Sequence, residues 1–289
     1  MRLDDYDPND INVGDQRGSG GGGFGGGGGG LLMGLLPMIG SRFGCGGIVV
    51  VLILMAVFGG GLGGLGNILG GGGGGGGGQV ATRSSEGPTS VTQACSVNPE
   101  SKAACNAFAS AQKTWTAIFA REGREFQKPN LQFYGGNGQS GCGAAQSAMG
   151  PFYCPTDQGI FLDTSFFAEL ANKFGAKGDF AQDYVIAHEF GHHIQNLLGT
   201  SSKVSNIQRS ASEAEGNAAS VRLELQADCY AGVWAAANRD RIEPGDVEEG
   251  MTAAQAIGDD TLQKETQGRV VPDSFTHGTS AQRQRWLKR

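Results

Sequence analysis

The side chains best suited to chemistry crowd into one short run, Asp183-Tyr184-Val185-Ile186-Ala187-His188-Glu189-Phe190-Gly191-His192-His193-Ile194-Gln195. On a helix, positions four apart share a face, so His188 and His192 can turn two imidazole nitrogens toward one divalent ion. Glu189 lies beside that face, where a carboxylate can take a proton from a metal-bound water. This is the H-E-x-x-H arrangement of zinc hydrolases. The competing explanation is a core helix that happens to hold these residues. It does not account for three of the chain's four histidines falling between positions 188 and 193. His193 points elsewhere on the helix and reads as structural.

A catalytic zinc site needs a third protein ligand and keeps a fourth position for water. The run Arg222-Leu223-Glu224-Leu225-Gln226-Ala227-Asp228-Cys229 places two acids four apart in an apolar helical stretch. A carboxylate there must be paired or bound to metal to be tolerated. Glu224 is the best candidate for the third ligand, and Asp228 for the acceptor that orients a histidine N–H. Two other arrangements stay open: Asp228 as ligand with Glu224 behind it, and both acids paired with arginines such as Arg222. Glu213 and Glu215 sit in polar, loop-like surroundings and are poorer choices.

The elements that must position these groups are readable from local pattern. The metal helix is expected over about 180–198, with Asp179 and Gln182 at capping-box spacing and Gly199 as its stop. Ile186, Phe190 and Leu197 would face the core. Gly191 costs the helix about 1 kcal/mol relative to alanine, which close approach by another backbone would explain. A helix is expected at 100–121 and a strand at 127–134, and Gly150–Cys154 with Gly159–Asp163 read as a β-hairpin or two neighbouring strands. A substrate-binding sheet edge is placed within 142–149. After a polar loop at 199–216, a second helix runs from Asn217 to Ala237. Residues 243–267 read as a solvated charged face with helical patches, and 280–289 as a short basic helix docked through Trp286.

The first quarter of the chain is different. Glycine runs at 20–30 and 70–78 have no side chains to bury and should act as tethers. Between them, residues 46–66 carry no charge and just reach the roughly 20 apolar residues that a membrane helix needs. A signal peptide is the alternative, but the stretch starts far from the N-terminus and no cleavage pattern stands out. The expected organisation is a cytoplasmic tail at 1–45, a membrane helix at 46–66, a flexible linker at 67–90 and one domain at 91–289. Arg42 on the N-terminal side, with no basic residue after the span until Arg83, puts the N-terminus inside and the domain outside the cytoplasm. A second apolar stretch at 31–39 is too short to span. The net charge of -6 argues against a nucleic-acid partner.

Cys95 and Cys105 are ten apart, and Cys142 and Cys154 twelve apart. Pairing by proximity gives 95–105 and 142–154, although four cysteines allow three connectivities. Disulfides suit an exported domain, and free thiols in a reducing compartment are the alternative. Cys229 reads as buried packing, and Cys45 as part of the membrane segment.

The runs around His188 and Glu224, with Ser274-Phe275-Thr276-His277-Gly278-Thr279-Ser280, resemble the putative neutral zinc metallopeptidase family of bacteria. Met1-Arg2-Leu3, Asp15-Gln16-Arg17-Gly18, the glycine tether and Gly150–Pro155 resemble it too, so the likeness covers nearly the whole chain. The N-terminal tail departs from it, being more acidic than that family's usual arginine-rich start, which weakens the charge argument for orientation. The resemblance implies an α+β zincin-like metallopeptidase domain: a small sheet with the HExxH and ExxxD helices, after one transmembrane helix. It implies Zn2+ held by His188, His192 and Glu224, with Asp228 supporting a metal histidine. It also implies that His277, followed by Arg283, reaches the oxyanion of the transition state, a role suited to a positioned N–H. A histidine packed on Phe275 at a helix start is the alternative.

The resulting expectation is a single-pass membrane metallopeptidase, acting on a peptide or protein outside the cytoplasm. Its rivals are a non-enzymatic tethered binding module with structural zinc, and a zinc hydrolase of a non-peptide or cell-wall amide.

Overall fold

The computed structural model describes residues 1–17 and 90–289. The span expected at 46–66, Cys45 and nearly all of the expected linker lie outside the described residues. No helix among the described residues is long and apolar enough to cross a membrane.

Among the described residues, six short strands form two sheets. β1 (Asn12–Asp15), β2 (Asn130–Phe133), β6 (Gly159–Leu162) and β5 (Phe152–Cys154) make a four-stranded sheet in that spatial order. β1, β2 and β6 run parallel, with Leu131 opposite Val13 on one side and Ile160 on the other, while β5 runs antiparallel to β6 at the edge. Every residue of β6 is buried, as befits an interior strand covered on both faces. β3 (Asn137–Ser140) and β4 (Gly143–Gln146) pair only with each other.

The helices are α1 (Val91–Cys95), α2 (Pro99–Arg121), α3 (Ser165–Phe174), α4 (Asp179–Leu197), α5 (Thr200–Ser210), α6 (Glu213–Ala237), α7 (Asp246–Ala256), α8 (Asp259–Gln267) and α9 (Ser280–Leu287). α4 lies at the centre, packed by α2, α6 and α7. Phe108 of α2 meets Phe190 of α4 edge-on at 5.5 Å, and Phe180 of α4 stacks on Trp234 of α6 at 6.1 Å. Ile186 and Phe190 are fully buried, as their helical spacing predicts, and Leu197 is half-buried against the same core. This is a mixed helix and small-sheet fold, consistent with the α+β expectation. Both expected disulfides, Cys95–Cys105 and Cys142–Cys154, are present. The hairpin expected before the metal helix is β5–β6.

Several expectations need correcting. Residues 1–17, expected in a tail beyond the membrane segment, belong to the domain: β1 extends its sheet, and Met1 and Ile11 are buried in its core. Residues 142–149 are not an edge of the main sheet, because β4 folds back on β3 and a 3-10 turn follows. The edge beside α4 is β5. The loop expected at 199–216 is largely α5, a helix that buries only Val204 and so has almost no apolar stripe to betray it. α6 begins four residues earlier than expected, at a Ser212–Glu215 capping box. α4 has no side-chain cap: Gly178 takes the cap position at φ 109, and Asp179 sits inside the first turn. Asp246 and Asp259 are buried, so 243–267 is not simply a solvated face. Cys229 is half-buried rather than buried, and α9 docks mainly through buried Arg283 and Leu287, with Trp286 half-buried.

Candidate metal centre

α4 presents His188, Glu189 and His192, and α6 presents Glu224 and Asp228 one turn apart. The two helices can approach because Gly191 faces Ala227: a side chain at Gly191 would lie 3.0 Å from the Ala227 carbonyl oxygen and 3.1 Å from its Cα. The close approach expected at Gly191 is therefore with the backbone that carries the acids.

Glu224 Oε2 lies 3.2 Å from His188 Nε2, and Oε1 lies 3.5 Å from His192 Nε2. The imidazole rings are nearly perpendicular, with centroids 4.8 Å apart. One donor atom from each of His188, His192 and Glu224 falls within a 4.8 Å group. A tetrahedron with zinc bonds near 2.0–2.2 Å has edges of about 3.3–3.6 Å, so this set of two nitrogens and a carboxylate fits such an ion. Burial works to protonate Glu224, but the two histidines outweigh it and hold its carboxyl well below the ordinary range. For His192, burial opposes the charged form, yet the facing Glu224 pushes its pKa up to about 9. A second acidic group, Asp179, Asp246 and Glu249, offers no histidine, and Asp179 and Asp246 hold the Met1 ammonium at 2.9 and 3.1 Å.

Each histidine is oriented from behind. His188 Nδ1 donates to Asp228 Oδ1 at 2.8 Å, which leaves Nε2 facing Glu224. Asp228 Oδ1 also accepts from the Tyr184 hydroxyl at 2.6 Å and Arg283 Nη2 at 2.8 Å, and Oδ2 accepts from Arg283 Nε at 2.9 Å. Burial alone would raise the Asp228 pKa, but Arg283 and His188 hold it at about 2. Asp228 thus engages the rear nitrogen of His188, and it is Glu224 that the geometry groups with the front nitrogens. Its arginine partner is Arg283, not Arg222. His192 Nδ1 donates to Gln195 Oε1 at 2.8 Å, and Gln195 is held in turn by donating to the Leu223 carbonyl at 2.6 Å and to Gln226 at 3.1 Å.

Glu189 is 8% exposed, and burial raises its pKa, partly offset by His192 and His188. His193 lies away from the ion pocket: Nε2 donates to the Gln127 carbonyl at 2.7 Å and Nδ1 accepts from the Tyr153 hydroxyl at 3.0 Å. Burial lowers its pKa to about 4, fitting the structural role expected for it.

His277 stands on the turn before α9. Asp259 Oδ2 accepts from the backbone N–H groups of Thr276, His277 and Gly278 at 2.7, 2.6 and 2.9 Å, and Oδ1 lies 3.2 Å from His277 Nδ1. The imidazole is thereby fixed with Nε2 turned away from Asp259. Burial disfavours its charged form, but Asp259 and then Glu224 raise its pKa.

Four supporting residues were not assigned such roles from the sequence: Tyr184, Gln195, Asp259 and Arg283. Gln195 carried a usable signal, lying one helical turn from His192. Asp259 carried none, and Arg283 only its place after His277 in the family resemblance, because their partners come together only in the fold.

A family model described as putative neutral zinc metallopeptidase matches residues 3–289. Among curated relatives, YpfJ of Escherichia coli (strain K12) is 56% identical over 183 residues, covering 63% of this chain and 64% of that one. Rv2575 of Mycobacterium tuberculosis (strain ATCC 25618 / H37Rv) is 44% identical over 175 residues, covering 56% of this chain and 58% of that one. Both carry the description uncharacterized protein, and the chain spans less than two thirds of the length of each. No solved structure matches.

Proposed function

The chain belongs to the putative neutral zinc metallopeptidase family, and from that premise we propose that it hydrolyses peptide bonds in a peptide or protein substrate with a zinc ion held by His188, His192 and Glu224. The observation that carries this reading is the grouping of these three donors from two helices within 4.8 Å, Glu224 lying 3.2 and 3.5 Å from the two ring nitrogens, with the buried carboxylate of Glu189 next in sequence to a ligand. Zinc bound there supplies a Lewis acid that lowers the pKa of a coordinated water and polarises a carbonyl.

The protein's own groups then have distinct tasks. Glu189 takes the proton of the attacking water and delivers it to the leaving amine, a role helped by burial that raises its affinity for a proton. His277, oriented by Asp259, hydrogen-bonds the oxygen on which charge develops. Asp228 and Gln195 keep the ligand nitrogens aimed forward by fixing the tautomers of His188 and His192. An extended substrate can add to the sheet at β5, the edge strand next to α4. We propose further that this happens on the exported side of a membrane met through residues 46–66. The two disulfides support an oxidising compartment.

The test is product analysis of peptide and murein digests with the purified protein, with and without a chelator. Chelator-sensitive cleavage of peptide amides is the expected result. Chelator-sensitive release from murein alone would replace the substrate class, and no turnover with zinc stoichiometrically bound would leave a binding module.

A further inference from the structure

The way the first seventeen residues are held bears on membrane topology. β1 is in parallel register with β2 over its whole length, and Gln16 N–H donates to the Phe133 carbonyl at 2.7 Å. Ile11 is 3% exposed, and Gln112 of α2 donates to the Asp10 carbonyl at 2.7 Å. Arg17 is the tightest point: its guanidinium grips both oxygens of Asp15 at 2.8 and 2.7 Å, reaches Ser101 Oγ and the Ala94 carbonyl at 2.6 Å each, and covers the Phe133 ring at 4.4 Å. Ala94 adjoins Cys95 of the Cys95–Cys105 disulfide, and α1 packs beside β1. Residues 17 and 90 therefore belong to one corner of one body.

A helix that crosses a bilayer once puts its two flanks on opposite sides, and no lipid bilayer can pass between β1 and β2 while their ladder is intact. We infer that residues 1–17 and the domain bearing the candidate metal centre share one side of the membrane. A single crossing at the apolar stretch expected over 46–66 does not fit that arrangement. The charge argument for a cytoplasmic N-terminus gives way easily, since it leaned on Arg42, while Arg2 and Arg17 are paired with Glu243 and Asp15.

Sidedness can be read with cysteine reporters in the full-length protein in its own membranes. Asn9→Cys and Ser202→Cys, both at exposed positions, would be made separately in a Cys45→Ser, Cys229→Ser background. Each would be treated with a membrane-impermeant maleimide in right-side-out and in inside-out vesicles. Labelling of both reporters in the same vesicle orientation is expected, with the protein retained in the membrane after alkaline carbonate. Labelling in opposite orientations would overturn the shared side, and release by carbonate would overturn the bilayer contact. As a second measurement, an Asp5→Cys, Lys102→Cys pair, now an ion pair at 3.0 Å, should be bridged by a short bis-maleimide in those membranes. Absence of that bridge in labelled, membrane-bound protein would count equally against docking of the N-terminal strand.

Discussion

Glu189 is buried and Glu224 half-buried beside the same two histidines, yet their proton affinities move in opposite directions. The difference is one of placement. Glu224 faces both ring nitrogens, at 3.2 and 3.5 Å, which favours the carboxylate, whereas for Glu189 desolvation prevails and favours the proton. That division suits one acid to bind a cation and the other to carry protons. Glu189→Gln should therefore retain zinc while losing at least about a hundredfold in kcat, the scale of general-base catalysis. Metal analysis and turnover on a cleaved peptide check this, and an unaltered rate would remove Glu189 from the mechanism. Gln195→Leu removes the acceptor for His192 Nδ1 without touching a ligand, so zinc affinity should fall by about tenfold to a hundredfold, as measured by competition with a chromophoric chelator. Affinity equal to the parent would mean that the Gln195 contact orients nothing. At this scale the sequence was informative about ligands and nearly silent about their supports. His188, Glu189 and His192 announce themselves by local spacing, and Glu224 by being an acid among apolar neighbours. Arg283 lies 55 residues from Asp228, and Asp259 lies 18 from His277, separations that no periodicity spans.

At the scale of elements, the site is a matter of how close α4 and α6 come. Alanine at Gly191 would gain about 1 kcal/mol of helix propensity, yet its methyl would press on the Ala227 backbone, and overpacking of that kind costs about 1–3 kcal/mol. Gly191→Ala should thus be net destabilising in urea and lower zinc occupancy by shifting Glu224. A more stable variant with full zinc would mean the contact is slack. Gly232 makes a similar contact with α9, since a side chain there would run into the Leu287 carbonyl, and α9 carries the Arg283 that holds Asp228.

Asp163, at the end of β6, ties the hairpin region to α3 by accepting from the N–H groups of Gly136 at 2.9 Å and Ser165 at 3.0 Å and from the Ser147 hydroxyl. Burial pushes its pKa up, but these donors outweigh it and the net shift is downward. A carboxyl with a depressed native pKa contributes stability that is present above its unfolded value of 3.8 and lost as pH falls through the lower native value. Asp163→Asn should cost about 1–3 kcal/mol near neutrality, with the gap to the parent narrowing toward pH 3. Urea midpoints at the two pH values measure it, and a gap that widens in acid would reverse the assignment. α4, α6 and the β5–β6 hairpin were legible because they carry apolar period or turn chemistry. α5 buries one apolar residue and β1 is a short polar strand, so their places depend on partners far along the chain.

For the molecule as a whole, the proposed ion would join the two longest-range parts of the centre: α4, backed by α2 and the sheet, and α6, backed by α9. Without a cation, Glu224 relies on two protonatable imidazoles to balance its half-buried charge. A ligand that binds only the folded state stabilises it by RT ln(1 + [L]/Kd), which is about 4 kcal/mol at a free concentration a thousand times Kd. For a domain of this size, each kcal/mol moves Tm by about 2–4 °C, so chelation should lower Tm by roughly 8–16 °C from the zinc-saturated value. Glu224→Ala removes the only ligand that α6 supplies to the group, so its melting temperature should respond weakly to added zinc. It should also lie below that of the zinc-saturated parent. Asp228→Asn, which disturbs support rather than ligation, should keep a zinc-dependent shift of reduced size. The measurement is a thermal scan of all three proteins across a zinc titration buffered by a chelator. A Glu224→Ala protein whose Tm rises with zinc as far as the parent's would show that the ion, if bound, does not bridge α4 and α6, and the proposed chemistry would lose its centre.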